Sequence, residues 1–96
     1  MDERKKATTY ITVAVAARRS GLTARTVRRY IRRGLVSDKL TENELARLRR
    51  IRRLTRLGIN LAGVEVILHM RRRIEELQTE VDRLQRLLDS LGMDAL

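Results

Sequence analysis

Arginine is concentrated in the stretch TARTVRRYIRRGLV, residues 23–36, which carries five arginines in fourteen residues. A guanidinium group is planar, permanently charged and able to donate two parallel hydrogen bonds, so it suits phosphate groups and guanine edges. Closely spaced cations on a helix also repel one another, and an isolated helix gains nothing from them. The residue types therefore indicate that this stretch binds a polyanion.

The positive charge is confined to the first three quarters of the chain. Residues 1–73 contain 20 Lys and Arg against 6 Asp and Glu, a net charge of +14. Residues 74–96 contain 2 Arg against 6 acidic residues, a net charge of −4. This division favours a polyanionic partner for the first part only. The alternative interpretation is that the arginines form a solubilising surface.

Several classes of function lack the residues they need. The chain has no Cys and one His, His69, so a zinc site has too few ligands. A Gly-rich phosphate loop and a Ser/His/Asp set are absent, and Glu75, Glu76 and Glu80 fall on outer positions of a predicted coil. We therefore expect a protein that is not an enzyme and needs no metal or cofactor.

The composition also bears on the compartment. No apolar run approaches the roughly 20 residues that span a bilayer, so we expect no membrane partner and a cytoplasmic, nucleoid-associated protein. Binding to an anionic membrane or to RNA is a further interpretation, which the absence of Trp and Phe disfavours.

The local signals predict an all-α fold. There is no Pro, Thr12, Thr23 and Asn60 can cap helices, and Thr41 to Glu44 forms a capping box. Glycines follow the first three predicted helices, where a left-handed residue ends a helix. Helices are predicted over residues 13–19, 24–33, 42–57 and 61–91.

The last predicted helix carries a coiled-coil pattern. Apolar residues recur at alternating spacings of three and four, which is typical of the a and d positions of a coiled coil. An amphipathic helix that folds back on its own domain is the alternative. The predicted dimer interface consists of Ile67, Met70, Ile74, Leu77, Val81, Leu84, Leu88 and Leu91.

The first two predicted helices form a helix-turn-helix candidate. Val13, Ala16 and Ala17 supply an inner face for the first helix, and Val27 with Tyr30 or Ile31 anchors the second. The second helix, about 24–33, is predicted to lie in the major groove of double-stranded DNA, because its arginines cannot all be buried. The predicted segments are a flexible basic arm at 1–9, this domain at 10–66, a dimerising coiled-coil helix at 67–92 and a tail at 93–96.

A family resemblance supports this interpretation. YITVAVAARRSGLTARTVRRYIRRGLV, residues 10–36, resembles the N-terminal region of MerR-type regulators, in which a Ser-Gly turn, a Thr-x-x-Thr-(Leu/Val)-Arg-x-Tyr stretch and a Gly-Leu pair are typical. LGINLAGVEVIL, residues 57–68, is similar to the second helix pair of that family, in particular to its HspR branch and to the chaperone modulator CbpM.

The resemblance implies roles for individual residues. It places Thr23, Arg25 and Thr26 at the start of the recognition helix and matches Arg28 and Tyr30 to positions that contact phosphate. It also implies a homodimer joined by an antiparallel coiled coil. The complete set of predicted DNA-binding residues is Arg18, Arg19, Thr23, Arg25, Thr26, Arg28, Arg29 and Tyr30.

One departure from the family pattern concerns the β-hairpin wing. Only residues 36–40 separate Leu35 from the cap at Thr41, which is too few for that hairpin. We therefore expect the wing to be absent, with the arginine side of the third helix as its hypothetical substitute. The absence favours the alternative function, a CbpM-like modulator that binds a chaperone without binding DNA, whereas the charge of residues 1–73 favours the DNA-binding regulator.

Overall fold

The computed structural model describes residues 9–92, in which the chain forms four α-helices and no β-strand. The predicted all-α fold is confirmed, and each helix ends within one residue of its predicted end. Apart from Thr9, the predicted arm at 1–9 lies outside the described residues, as does the tail at 93–96. The helices are α1 Val13–Ser20, α2 Ala24–Arg32, α3 Glu42–Arg56 and α4 Leu61–Ser90.

The first three helices begin at threonine caps. The Oγ1 atom of Thr12 accepts a hydrogen bond from the backbone N–H of Val15 at 3.1 Å, and Thr23 accepts one from Thr26 at 3.0 Å. Thr41 accepts one from Glu44 at 3.3 Å. Each bond satisfies a donor that the first helical turn leaves unpaired, which is why the sequence locates these ends well.

The same three helices end in Schellman motifs. A glycine with a left-handed backbone lies one residue after the end of α1 and two residues after the ends of α2 and α3, at φ values of +77°, +76° and +90° for Gly21, Gly34 and Gly58. The next residue, which is apolar in all three cases, donates its N–H to a carbonyl five residues earlier. These bonds join Leu22 to Ala17 at 3.1 Å, Leu35 to Tyr30 at 2.9 Å and Ile59 to Leu54 at 3.2 Å.

Residues 9–61 form one compact unit around α1, which packs against both α2 and α3. The inner side of α1 is made of methyl groups, since Ala16 and Ala17 are its buried apolar residues. Side chains this small let both neighbouring helices approach the α1 backbone closely. The remaining buried apolar residues of the unit are Val27, Tyr30, Leu35, Val36, Leu40, Leu45, Leu48 and Ile51.

The connector between α2 and α3 replaces the hairpin wing. Residues 33–41 form turns and bends without a strand, and Leu35, Val36 and Leu40 are buried. The N–H of Ile11 donates to the carbonyl of Leu40 at 2.8 Å. The carboxylate of Glu44, predicted to complete a capping box, instead accepts a hydrogen bond from the N–H of Ser37 at 2.8 Å. The connector is thus a fixed part of the core.

The second compact unit begins at Ala62, and its described part, residues 62–92, consists mainly of α4. Val64 and Leu68 are its buried residues, and Ile67 is half-buried. Every described residue from His69 to Gly92 is exposed, whether apolar or charged.

An ion pair joins the end of α1 to the start of α3. Arg19 donates two hydrogen bonds to the carboxylate of Glu42, at 2.8 and 3.1 Å. The bonded guanidinium is the main reason that the pKa of Glu42 lies below its ordinary value of 4.5. A carboxyl whose pKa is lowered by folding stabilises the fold above its unfolded-state pKa, and this contribution disappears as the pH falls through the folded-state pKa.

We predict that Arg19→Gln and Glu42→Gln show an energetic coupling that depends on pH. At neutral pH the double variant should lose less free energy of unfolding than the sum of the single variants, because either change alone removes the ion pair. The coupling should fade in acid as Glu42 becomes protonated. Urea denaturation of the four proteins across pH measures it, and a coupling that persists below the folded-state pKa of Glu42 would contradict the assignment.

The turn at Gly21 also lies in close contact with the side chain of Arg52. A Cβ atom built on Gly21 would lie 2.9 Å from Cζ of Arg52 and 3.0 Å from its Nε, whereas one on Gly34 would meet nothing within 4 Å. Both glycines have the same left-handed backbone. They therefore form a matched pair of positions that differ in their neighbours, since Arg52 lies beside Gly21 and nothing lies close to a Cβ at Gly34.

We predict that Gly21→Ala and Gly34→Ala each destabilise the fold by about 1 kcal/mol, the cost of a left-handed backbone at a residue with a Cβ. Arg52 is flexible and can withdraw, so the two costs should be similar. Only Gly21→Ala should displace the Arg52 guanidinium. Thermal unfolding measures the stability, and the Arg52 Nε–Hε resonance reports the displacement; an unmoved Arg52 in Gly21→Ala would show that this contact is absent.

Candidate nucleic-acid interface

The arginines of α2 form a single stripe along the solvent side of the helix. Val27 and Tyr30 are buried, while Arg25, Arg28, Arg29 and Arg32 are exposed. These four residues follow the spacing i, i+3, i+4, i+7, which places them on one face of a helix. The structure thus presents three of the predicted site residues, Arg25, Arg28 and Arg29, side by side.

The N-terminus of α2 carries two threonine hydroxyls with different capacities. Thr23 accepts the N–H of Thr26 and donates its O–H to Oγ1 of Thr26 at 2.9 Å. The Thr23 hydroxyl therefore acts as both acceptor and donor within the helix cap. Thr26 keeps its own O–H as a donor. Of the two predicted contacts, Thr23 fixes the helix end and Thr26 presents a donor beside Arg25 and Arg29.

Tyr30 belongs to the core of the domain. Its side chain is 5% exposed, so only a small part of it is accessible to a ligand. The sequence offered two roles for this residue, an anchor of α2 and a phosphate contact. The structure places Tyr30 in the anchoring position and leaves Ile31 half-buried beside it.

The two predicted residues on α1 lie in different environments. Arg18 is exposed. Arg19 is held by Glu42, and this hydrogen bond is the main cause that raises the pKa of the Arg19 guanidinium above its ordinary value. A phosphate that binds Arg19 must therefore share it with the Glu42 carboxylate.

A second cationic surface lies between the end of α1 and the exposed side of α3. It is a groove of about 620 Å³. The Nε atom of Arg49 donates to the carbonyl of Arg19 at 3.2 Å, and Arg52 lies against Gly21. We call this surface the arginine groove; its lining residues are Arg18, Arg19, Ser20, Gly21, Arg49, Arg52, Arg53, Arg56 and Leu57.

The predicted set of DNA-binding residues does not name the α3 arginines, although the sequence suggested the arginine side of this helix as a substitute for the wing. The signal was present, since Arg49, Arg52, Arg53 and Arg56 repeat the spacing of the stripe on α2. What the sequence did not show is that α1 closes one side of this surface and makes it concave.

The predicted dimer residues form an exposed apolar stripe on α4. Ile67 is half-buried, and the other seven side chains are between 37% and 63% exposed. Leu87, beside the stripe, is 48% exposed. The flanking charges pair along the helix, with Arg71 to Glu75 at 3.6 Å, Arg73 to Glu76 at 2.7 Å, and Arg83 to Glu80. The Arg83 hydrogen bond is the main reason that the pKa of Glu80 is lowered.

Neither a metal site nor a membrane span is found in residues 9–92. No group of three or more His, Asp and Glu side chains there is arranged to hold a metal ion. No helix in the same range combines the length and apolar character needed to cross a bilayer.

Comparison with known proteins agrees with this architecture. The family model for the MerR HTH family regulatory protein matches residues 11–71. A Streptomyces coelicolor protein that bears the name heat shock protein HspR is 36% identical over 86 residues, covering 80% of this chain. The match covers 57% of that relative, so the chain spans little more than half its length. No solved structure matches the chain significantly.

The matched region contains the helix-turn-helix pair, α3 and the start of α4, and the relative extends the similarity over most of the chain. The resemblance found in the sequence is thereby confirmed. The chain belongs to the MerR family of helix-turn-helix regulatory proteins, near its HspR branch.

Proposed function

We propose that this protein is a transcriptional regulator that binds double-stranded DNA as a homodimer, with α2 of each protomer in the major groove. The observation that carries the proposal is the arginine stripe of α2, which lies opposite the buried anchors Val27 and Tyr30. In helix-turn-helix proteins the N-terminal part of the recognition helix reads base edges, while surrounding cations bind phosphates. Arg25 and Thr26 occupy the first position, and Arg28 and Arg29 the second.

The exposed stripe on α4 supports the homodimer. Seven large apolar side chains along one helix exceed what a monomer ordinarily leaves in contact with water. Their a and d spacing fits a second copy of the same helix. The homodimer gives the two recognition helices that a two-fold symmetric DNA site requires.

We propose an antiparallel coil, following the family. This register pairs Val81 with Leu84, Leu77 with Leu88, and Ile74 with Leu91, so the core is apolar throughout. In a parallel pair, the Arg71 to Arg73 cluster of one protomer would face the same cluster of its partner, and the like charges would repel. Arg71 and Arg73 already have carboxylate partners along α4, which reduces this repulsion. The argument for the antiparallel orientation therefore depends mainly on the family.

The proposed protein acts by binding alone. Its function then needs no catalytic residue, metal or cofactor, and its place in the cell is the cytoplasmic nucleoid where its DNA lies.

The second candidate is a CbpM-like modulator that binds a chaperone or co-chaperone without DNA. Two observations favour it: the described connector contains no wing, and the relative bears the name of a heat shock protein. The DNA-binding proposal accounts better for the arginine stripe on α2, which a chaperone partner does not require. DNA selection from a random duplex pool, run beside a pull-down with purified chaperones, separates the two functions.

We predict that Arg28→Ala weakens binding to every duplex by a similar factor. Its lost phosphate contact should flatten the plot of log K against log salt by roughly 1 to 2 per dimer. Arg25→Ala should instead relax sequence preference, because it lies where bases are read. Fluorescence anisotropy across salt measures both, with Arg86→Ala on α4 as the control that removes the same charge. If Arg28→Ala changes preference at one base pair and leaves the slope intact, the two roles are assigned wrongly.

We predict that Val81→Asp combined with Leu84→Asp dissociates the dimer. The change buries up to four carboxylates at its centre, and each costs several kcal/mol. Both side chains are exposed in the protomer, at 62% and 44%, so the core around α1 should remain folded. DNA binding should fall to a weak, salt-sensitive mode.

Sedimentation gives the mass of this variant, and anisotropy gives its affinity. The matched control is Thr79→Asp with Arg86→Asp, which places two carboxylates at outer f positions, one just before Val81 and one just after Leu84. A monomeric double variant that binds DNA as tightly as the parent would separate dimerisation from DNA recognition.

A further inference from the structure

The arginine groove concentrates more charge than its surroundings neutralise. Six arginines line it, and Glu42, the partner of Arg19, is the carboxylate bonded to one of them. Arg53 and Arg56 are exposed and make no ion pair with another residue in the range 9–92. Guanidinium groups gathered in one concave surface repel one another unless an anion lies between them.

Part of this surface is held in place before any ligand arrives. The Nε atom of Arg49 is bonded to the Arg19 carbonyl at 3.2 Å, which fixes this guanidinium at the wall of the groove. Arg49 keeps its terminal N–H groups as donors. Fixed donors lose less conformational entropy on binding than free surface arginines, so the groove is organised for an anion.

The dimensions favour a row of phosphates over a single one. From Arg49 to Arg56 the α3 helix rises ~10 Å, at 1.5 Å per residue. Phosphates on one strand of B-DNA follow at ~3.4 Å of axial rise, so an α3 helix aligned with the DNA axis would span about three of them. The groove is also continuous with the turn that leads into α2, because Gly21 lines it and Thr23 caps α2 two residues later.

We infer that the arginine groove binds the DNA backbone that flanks the site read by α2, and so supplies a flanking contact where the described connector, residues 33–41, forms no wing. The inference rests on the proposed function. Its specific content is that Arg53 and Arg56 contact phosphates outside the base pairs that α2 covers. Arg49 and Arg52 shape the groove between them and α1.

The test compares two double variants on two duplexes. Arg53→Gln with Arg56→Gln removes two charges from the groove. Arg72→Gln with Arg86→Gln removes two charges from outer f positions of the α4 heptads, and serves as the control for net charge. The duplexes carry the selected site either with blunt ends at its edges or with flanks of about five base pairs, roughly half a helical turn, on each side.

The parent and the control should bind the flanked duplex more tightly and with a steeper salt dependence than the blunt duplex. The groove variant should bind both duplexes alike, with a slope on the flanked duplex flatter than the parent's by about 1.8 per protomer, at 0.9 per lost phosphate contact. Thermal unfolding should be the same for both variants, because neither pair of side chains makes an ion pair that the change removes.

The outcomes separate the two proposals. If the parent binds no duplex, the proposed function fails. If the parent binds but flanks add nothing, or the groove variant keeps the full effect of the flanks, the groove is not a backbone site and the function stands. Competition by tripolyphosphate and by sulfate at equal ionic strength identifies the occupant of the groove. If the groove variant loses the flank effect and tripolyphosphate displaces the flanked duplex no better than sulfate does, the occupant is the DNA backbone. Displacement by tripolyphosphate at a far lower concentration than sulfate would overturn that assignment in favour of a small polyphosphate.

Discussion

The contact between the turn at Gly21 and α3 determines where the cationic groups of this domain lie. The turn is left-handed, and the absence of a Cβ lets the guanidinium of Arg52 lie against its backbone. The turn connects the end of α1 to the start of α2. At the end of α1, the guanidinium of Arg19 forms an ion pair with Glu42, and the carbonyl of Arg19 accepts a hydrogen bond from Arg49. Two arginine surfaces are therefore fixed relative to one short segment of backbone.

The core that supports this arrangement is small, and it includes side chains from the connector as well as from the helices. The inner side of α1 contributes alanines, and the connector between α2 and α3 contributes Leu35, Val36 and Leu40. Buried residues of the connector compensate for the little volume that α1 provides. The larger buried side chains therefore come from α2, α3 and the connector, among them Tyr30, Leu45 and Ile51.

The sequence predicted what depends on local interactions. Thr12, Thr23 and Thr41 bond to backbone three residues away, and Gly21, Gly34 and Gly58 adopt backbones that other residues avoid, so helix ends could be read directly. The exposed face of α2 followed from its spacing. Features that depend on distant residues were not predicted: Glu42 binds Arg19 across 23 positions, Arg49 reaches Arg19 across 30, and Glu44 turns from the helix end to Ser37. The position of Tyr30 likewise depended on packing, because a tyrosine at that spacing suits a core or a phosphate equally.

The connector also limits how this architecture can be lengthened. Its first part is anchored by buried Leu35 and Val36, its last by Leu40, which bonds to Ile11, and Glu44 holds Ser37. Only Ser37, Asp38 and Lys39 lie exposed between these anchors. An insertion placed there leaves both anchored ends where they are, since chain length in a surface loop costs little free energy of closure. A longer segment between Val36 and Leu40 is therefore compatible with the same positions of the helices that carry the two arginine surfaces.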